Sequence, residues 1–156
     1  MGIVRESLDF ERGLDPKQAM NVGKAHLIQQ WMDDAGVGVK NFKINDDFSV
    51  DLFMPFTMNQ QRPDLFPNGK LPEYIEFRSS KDFDVDDCGI DSLERFPLLV
   101  AGYFSCQMNK ITSLEGFPIK IDTNAYVMGN EKDFTEQEIR QVCNVVGEVE
   151  ADDSDV

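Results

Sequence analysis

The sequence predicts an α/β protein in which a short solenoid with a small, mostly parallel sheet is flanked by an N-terminal helix and a C-terminal capping helix. Three observations predict this fold. A pattern of apolar residues between positions 80 and 118 repeats at a constant offset, called the repeat offset below, which carries Phe83 onto Phe104. A helix signal precedes the repeats, and a helix-capping signal follows them. The 156 residues, 41% of them hydrophobic, suffice for one domain with a real core.

The N-terminal helix is predicted over residues 14–36. Asp15 and Pro16 are typical of an N-cap and a first helical position, and Gly36 is typical of the end of a helix. Gly23 is a position at which the segment can break into a short turn and a longer helix. The apolar face of the longer helix is predicted to pack on a sheet. That face consists of Leu27, Ile28, Trp31 and Met32.

The middle of the chain, residues 44–130, is predicted to hold the strands and the repeats. The alternation of Phe48, Val50 and Leu52 indicates a strand that follows a turn. Residues 55–72 contain four prolines and a glycine, so they are expected to form an irregular loop.

The chain aligns with itself at the repeat offset. In each copy an apolar strand leads to a turning position, which is Cys88 in the first copy and Asn109 in the second. The Ile, Leu and Phe that follow, among them Leu93 and its copy Leu114, are expected to fill the interior as the chain returns. A buried Asn side chain can bond backbone groups of the next coil. A third copy starts at Ala125 and reaches Asn130, but Lys132 occupies its next apolar position. Parallel strands are therefore expected near residues 82–86, 102–107 and 123–128.

Two segments carry a resemblance to a known family. SLEGFP and the preceding FSCQMNKIT resemble the degenerate leucine-rich repeats of many bacteriophage and bacterial proteins. The leading segment RESLDFERGLDPKQAMNVG, with its FERG-x-DP pattern, and the strand INDDFSVDL resemble the N-terminal part that precedes such repeats in phage proteins. The resemblance covers roughly residues 5–130. It implies a leucine-rich-repeat-like solenoid and a phage origin, but no reaction and no catalytic residues.

The C-terminal capping helix is predicted over residues 135–146. Thr135 and Glu138 form a capping-box pattern, and Gly147 is expected to end the helix. Apolar residues at helical spacing predict a buried face, so the helix is expected to cover the open end of the stack of repeats. They are Ile139, Val142, Cys143 and Val146.

Composition limits the domain organisation and the surroundings of the protein. One domain is assigned to residues 1–147, and the acidic residues 148–156 are expected to form a solvated tail because they have almost nothing to bury. The N-terminus shows no basic segment before an apolar stretch, and the longest apolar run is too short to span a bilayer. Three cysteines without a close pair fit a reducing compartment, and each is expected to be buried. The expected location is the cytoplasm of a host cell, or a virion.

Signals for chemistry are weak along the whole sequence. An EF-hand starting at Asp82 would need Gly and Glu where Asp87 and Leu93 stand, so the repeat explains these aspartates better than a calcium loop. His26 has no neighbouring zinc ligands, and Trp31 is expected in the core. The familiar phosphate-binding loops and the nucleophile elbow are missing from the sequence. The chain is therefore predicted not to be an enzyme and to use no metal ion and no cofactor. An enzyme stays open as a third class of function only because irregular loops can assemble sites that have no sequence signal.

The outward positions of the three predicted strands define one candidate binding surface, called the repeat face below. It mixes acids with two tyrosines, a composition typical of protein-binding patches. Its nine residues are Asp82, Asp84, Asp86, Tyr103, Ser105, Gln107, Asn124, Tyr126 and Met128.

Three hypotheses follow for this face. The first is a non-enzymatic protein-binding or structural protein with a protein partner, without direct contact to nucleic acid or membrane, and with homo-oligomers left open. The net charge of the chain, −14, opposes approach to nucleic-acid phosphates and anionic lipids. The second is an acidic inhibitor that mimics nucleic acid and occupies a host DNA-binding protein. In the third, the face only closes the sheet against solvent.

Overall fold

A computed structural model describes residues 16–154 and shows a β-solenoid built from two sheets. Sheet A consists of Phe42–Ile44 (β1), Val50–Leu52 (β2), Phe77–Ser80 (β4), Leu99–Val100 (β6), Lys120–Ile121 (β8) and Asn144–Val145 (β10). Sheet B consists of Phe56–Thr57 (β3), Phe83–Asp84 (β5), Phe104–Ser105 (β7), Ala125–Tyr126 (β9) and Val149–Glu150 (β11). Apart from the antiparallel pair of β1 with β2, the strands of both sheets pair in parallel. The α/β class and the mostly parallel solenoid are thus confirmed.

Sheet B contains the three strands that the repeat predicts. β5, β7 and β9 lie within the expected segments, and Phe83 pairs with Phe104 while Phe104 pairs with Ala125, which reproduces the repeat offset. Sheet A was not predicted, because the segments between the repeats were expected only to fill the interior. Each inner coil instead contains a second short strand, β4, β6 or β8. This strand pairs with its neighbours in sheet A before the chain turns into sheet B.

The N-terminal helix, α1, spans Pro16–Asp34 and runs through Gly23 without a break. Gly36 follows it with a φ of +81°, as expected for a C-terminal cap, whereas the N-cap assigned to Asp15 lies outside the described residues. Trp31 is buried, and its Nε1 donates to the Leu65 carbonyl oxygen at 2.9 Å, so the core position expected for it is confirmed. Ile28 and Met32 are buried with it, but Leu27 is 47% exposed and does not belong to the packed face.

The segment before the repeats folds as predicted only in part. Val50 and Leu52 form β2, but Phe48 has a φ of +68° and lies in the turn of the β1–β2 hairpin rather than in a strand. Residues 55–72 are largely irregular, as expected. They nevertheless contain β3 and a short 3-10 turn over Pro67–Gly69. β3 is the first strand of sheet B and pairs with β5.

Buried asparagines link successive coils, as the repeat predicts. The Oδ1 of Asn109 accepts from the backbone N–H groups of Cys88 and Ile90 at 2.9 and 3.0 Å, and its Nδ2 donates to the Val85 carbonyl at 2.9 Å. Asn130 repeats the arrangement one coil later and donates to the Cys106 carbonyl at 3.0 Å. Each amide therefore satisfies backbone groups that would otherwise be buried without a partner.

All three cysteines are buried and unpaired, as expected. Burial raises the pKa of the Cys88 thiol to about 12 and that of Cys143 to about 11. The Cys88 thiol also donates to the Met58 carbonyl oxygen at 3.0 Å, so it occupies the turning position of its coil as a small hydrogen-bonding core residue.

The C-terminal helix, α2, begins as predicted but is shorter. The capping box of Thr135 and Glu138 is present, and the helix spans Glu136–Val142 instead of extending to residue 146. Val142 and Val146 are 46% and 63% exposed, so they are not part of a buried face. The helix ends early because residues 144 and 145 form β10, whose backbone bonds to sheet A. The stack is therefore continued by strands rather than closed by the helix, and Gly147 does not end the helix.

The acidic C-terminal segment is part of the folded structure, and the expectation of a solvated tail is wrong for residues 148–154. β11 pairs with β9, and Val149 and Ala151 are buried. The carboxylate of Asp152 accepts from the Phe134 and Gly129 backbone N–H groups at 3.0 and 3.1 Å. Apolar residues alternate with acids here, so one side of the strand fills the core while the acids face outward. Strand pairing therefore extends beyond the boundary placed at residue 147.

Within residues 16–154, neither helix has the length and apolar character needed to cross a bilayer.

Candidate protein-binding face

The repeat face lies on the outer side of sheet B. The residues that alternate with it, among them Phe83, Phe104 and Ala125, are completely buried. Eight of its nine residues are partly exposed, so the structure places them together on one surface. Ser105 is the exception, because it is 2% exposed and its hydroxyl donates to Asp86 at 2.6 Å. The outward position predicted for Ser105 is therefore a buried hydrogen-bonding position.

Two residues of the repeat face connect neighbouring coils through their side chains, which accept from backbone N–H groups of the next coil. The Oδ1 of Asp82 accepts from the Tyr103 N–H at 2.9 Å, and the Oδ1 of Asn124 accepts from the Glu148 N–H at 2.8 Å. A glycine precedes each of these N–H groups, and a Cβ atom at Gly102 would overlap the Asp82 carboxylate. These side chains are thus fixed in position by the stack of coils.

Asp84 and Asp86 form the acidic centre of the face. The Asp86 carboxylate accepts from the Gln107 N–H at 2.8 Å in addition to the Ser105 hydroxyl. Asp84 accepts from the Asp86 N–H at 3.1 Å and has a long contact of 3.4 Å from the Tyr103 hydroxyl. Burial, together with the charge of Asp86, raises the pKa of Asp84 above its ordinary value of 3.8. Its negative charge is therefore held at an energetic cost.

The two tyrosines pack on each other beside these acids. The rings of Tyr103 and Tyr126 lie 5.8 Å apart in an edge-to-face arrangement. Asn124 Nδ2 donates to the Tyr126 hydroxyl at 3.0 Å. Burial and the charge of Asp84 raise the pKa of Tyr103. The two rings are thus held in a fixed, partly exposed pair.

The carboxylates of the repeat face form no ion pair with a basic side chain among the described residues. Elsewhere acids have such partners, as Asp51 has Arg78, Asp122 has Lys120 and Glu138 has Lys132. None of the ion pairs within residues 16–154 involves Asp82, Asp84 or Asp86. In the same part of the chain, no group of three or more acidic, histidine or cysteine side chains is arranged to hold a metal ion. The face thus offers negative charge to a partner.

The row of outward side chains is longer than the sequence predicted. Register places Thr57 of β3 beside Asp84 at one end and Glu150 of β11 beside Tyr126 at the other. The outward position of Glu150 had a signal in the sequence, because an apolar residue, Val149 or Ala151, stands on each side of it. The outward position of Thr57 had no such signal, since the step from β3 to β5 is longer than the repeat.

The fold and this surface define the chain as a mostly parallel β-solenoid with an acidic and aromatic face. Comparison with protein-family models, with curated proteins and with solved structures gives no significant match.

Proposed function

We propose that this chain is a non-enzymatic protein-binding or structural protein whose repeat face binds a protein partner with basic groups. The observation that carries the proposal is the Tyr103–Tyr126 pair next to carboxylates that have no basic partner among the described residues. A partner can cover the two rings and supply the missing positive charges.

The aromatic pair supports a binding role through its rigidity. Partly exposed tyrosines that are already held in place lose little side-chain entropy when a partner covers them. Tyrosine is also among the residues that contribute most to binding energy at the centres of interfaces. The five-strand row provides a continuous support for this centre.

The acids support a preference for basic partners. Complementary charge speeds encounter and selects among partners more than it adds affinity. Asp84 fits this role because its charge is already partly removed from water and is opposed by Asp86. An Arg or Lys side chain placed there would relieve that unfavourable interaction.

The proposal includes the leucine-rich-repeat-like class and a phage origin. The repeat offset between Phe83 and Phe104 and the buried Asn109 and Asn130 support the class, together with the resemblance of SLEGFP to such repeats. The origin rests on the resemblance of the leading segment alone. A host-cell or virion location follows from the same proposal.

The test starts with affinity capture of a partner from a host lysate and then compares variants against that partner. Tyr103→Ala with Tyr126→Ala is expected to weaken binding by more than about 2 kcal/mol, as central aromatic anchors do. Tyr103→Phe with Tyr126→Phe is the matched control, which keeps both rings and should retain most of the affinity. Wild-type affinity in the double alanine variant would rule out the repeat face as the binding surface.

Nucleic-acid mimicry remains a second candidate, because the carboxylates of the face are unpaired within the described residues. A mimic depends on total surface charge, so removing exposed acids elsewhere should slow association at low salt. A suitable variant combines Glu115→Gln, Glu131→Gln and Asp133→Asn, which lie outside the repeat face. If this variant binds less well while the tyrosine variant binds normally, mimicry explains the function better.

A further inference from the structure

The outward side chains of sheet B stand in columns, one for each coil. The coil of β5 presents three partly exposed aspartates, called the first acidic column below, which are Asp82, Asp84 and Asp86. The coil of β11 presents Glu148 and Glu150, called the second acidic column. Register places Glu150 beside Tyr126, and the Glu148 N–H donates to Asn124 Oδ1 at 2.8 Å, so both glutamates extend the rows of the repeat face.

Uncharged columns separate the two acidic ones. β7 and β9 lie between β5 and β11 in sheet B, and the outward side chains of their coils carry no charge. The edge-to-face rings of Tyr103 and Tyr126 occupy this middle part. The partly exposed residues of the middle columns are Tyr103, Gln107, Asn124, Tyr126 and Met128. The surface is therefore an aromatic strip with an acidic border on each side.

The acids of both borders keep their charge available. None of the ion pairs formed within residues 16–154 includes a member of either acidic column. A partner that covers the aromatic strip therefore meets unpaired carboxylates on both of its flanks. Complementary positive charge on both flanks would select such a partner.

The spacing of the two columns indicates the width of the partner. Neighbouring strands lie about 4.8 Å apart, so the three steps from β5 to β11 separate the acidic columns by about 14 Å. An α-helix with its side chains is about 10–12 Å wide. A helix lying along the strands can therefore rest on the middle columns and extend basic side chains to both borders. A single extended segment in the same place is narrower and reaches one border at a time.

The length of the columns suits a short contact. The step from Asp82 to Asp86 spans about 13 Å along an extended chain, which corresponds to about two turns of helix. Two turns present an apolar stripe of three to four residues, enough to cover the two tyrosine rings.

We propose that the segment that binds the repeat face is an amphipathic α-helix, with an apolar stripe on Tyr103 and Tyr126 and with Lys or Arg on both flanks. This inference rests on the proposed function and specifies the kind of partner that the face takes. The basic residues of one flank pair with the first acidic column, and those of the other flank pair with Glu148 and Glu150. Apolar contact holds the helix, and the two charged borders fix its direction along the strands.

The experiment uses three synthetic peptides of about 18 residues, long enough to form a helix on binding. All three carry the same leucine stripe and the same number of lysines. In the first peptide the lysines are divided between the two flanks, and in the second they all lie on one flank. The third is the first peptide with a central proline. Affinities are measured in dilute salt, and circular dichroism of the mixtures reports whether the peptide becomes helical.

The two-flank peptide should bind about fivefold or more tightly than its one-flank isomer, because two further ion pairs form. The central proline should weaken binding about tenfold or more, since proline breaks a helix. The bound two-flank peptide should also gain helicity.

Variants of the protein locate the second border. Glu148→Gln with Glu150→Gln removes that border, so the advantage of the two-flank peptide over its isomer should fall to about onefold. Glu115→Gln with Glu131→Gln is the matched control, because it removes the same number of exposed charges outside sheet B and should leave the advantage unchanged.

Three results would overturn the inference. They are equal affinity of the two-flank and one-flank peptides, undiminished binding of the proline peptide, and loss of the advantage in the Glu115 and Glu131 control, which would indicate a response to total charge. The proposed function is judged separately with the captured partner. If the double alanine variant of Tyr103 and Tyr126 loses that partner while the peptides fail, only the helix is wrong. If that variant binds the partner normally, both proposals fail.

Discussion

Asp84 shows how a single charged residue connects stability with binding. Its neighbours raise its pKa in the folded state above the ordinary value of 3.8. At a pH between the unfolded and the folded pKa of Asp84, the folded protein therefore binds more protons than the unfolded chain. At a pH above both pKa values, the charge of Asp84 lowers the stability of the fold. Natural binding sites often retain such destabilising groups because they serve function.

The corresponding prediction is that Asp84→Asn raises the melting temperature at pH 7. The asparagine keeps the acceptor for the Asp86 N–H but removes the unfavourable charge. The gain should disappear as the pH falls below about 3.8, because the wild-type group is then protonated in both states. Thermal unfolding of both proteins from pH 3 to pH 7 measures this effect. An equal or lower melting temperature of the variant at pH 7 would contradict it.

Asp51 provides the control with the opposite sign. Burial acts to raise the pKa of Asp51, but bonds from Ser79, Arg78 and Asn45 together bring it below its ordinary value. Its stabilising contribution is present above the unfolded pKa and is lost as the pH falls through the folded value. Asp51→Asn should therefore lower the melting temperature at neutral pH and have less effect in acid.

At the scale of elements, equivalent positions in successive coils are not buried equally. Leu93 and Leu114 align at the repeat offset and were both expected in the core. The structure buries Leu93 completely but Leu114 only in part. The aligned position of the next coil is Thr135, the N-cap of α2, so Leu114 has no apolar equivalent above it.

Matched substitutions should reveal this difference. Leu93→Ala is expected to lower the free energy of unfolding by about 2–5 kcal/mol, because it opens a cavity between coils. Leu114→Ala should have a smaller effect, since part of its side chain already contacts solvent. Denaturant unfolding of the two variants compares them directly. Equal losses would show that Leu114 is as much a core residue as Leu93.

At the scale of the whole molecule, the last coil completes the solenoid. Deletion of residues 148–156 removes β11 and exposes the edge of β9. The loss should be at least about 1.5–3 kcal/mol, the value of burying one apolar side chain such as Val149. Thermal unfolding of the truncated chain measures it, and deletion of residues 155–156 alone is the control. A melting temperature equal to that of the control would show that β11 adds nothing to the fold.

The features that depend on local pattern could be predicted from the sequence. Alternation at a constant offset predicted β5, β7 and β9 and their parallel pairing, because inward side chains must repeat wherever coils stack on one core. Asn109 was predicted as a link between coils for the same reason. The capping box at Thr135 was equally visible, since its bonds join residues close in sequence.

The start and end of the solenoid, and the exposure of each face residue, depend on contacts between distant parts of the chain. β3 and β11 join sheet B through steps longer than the repeat, so the repeat offset does not reach either strand, although apolar residues alternate with acids along β11. α2 stops at Val142 because backbone bonds to sheet A hold residues 144 and 145 as a strand. Ser105 is buried where its hydroxyl donates a hydrogen bond to Asp86 on the neighbouring coil. In each case a partner distant in sequence determines the outcome, and a local pattern carries no information about that partner.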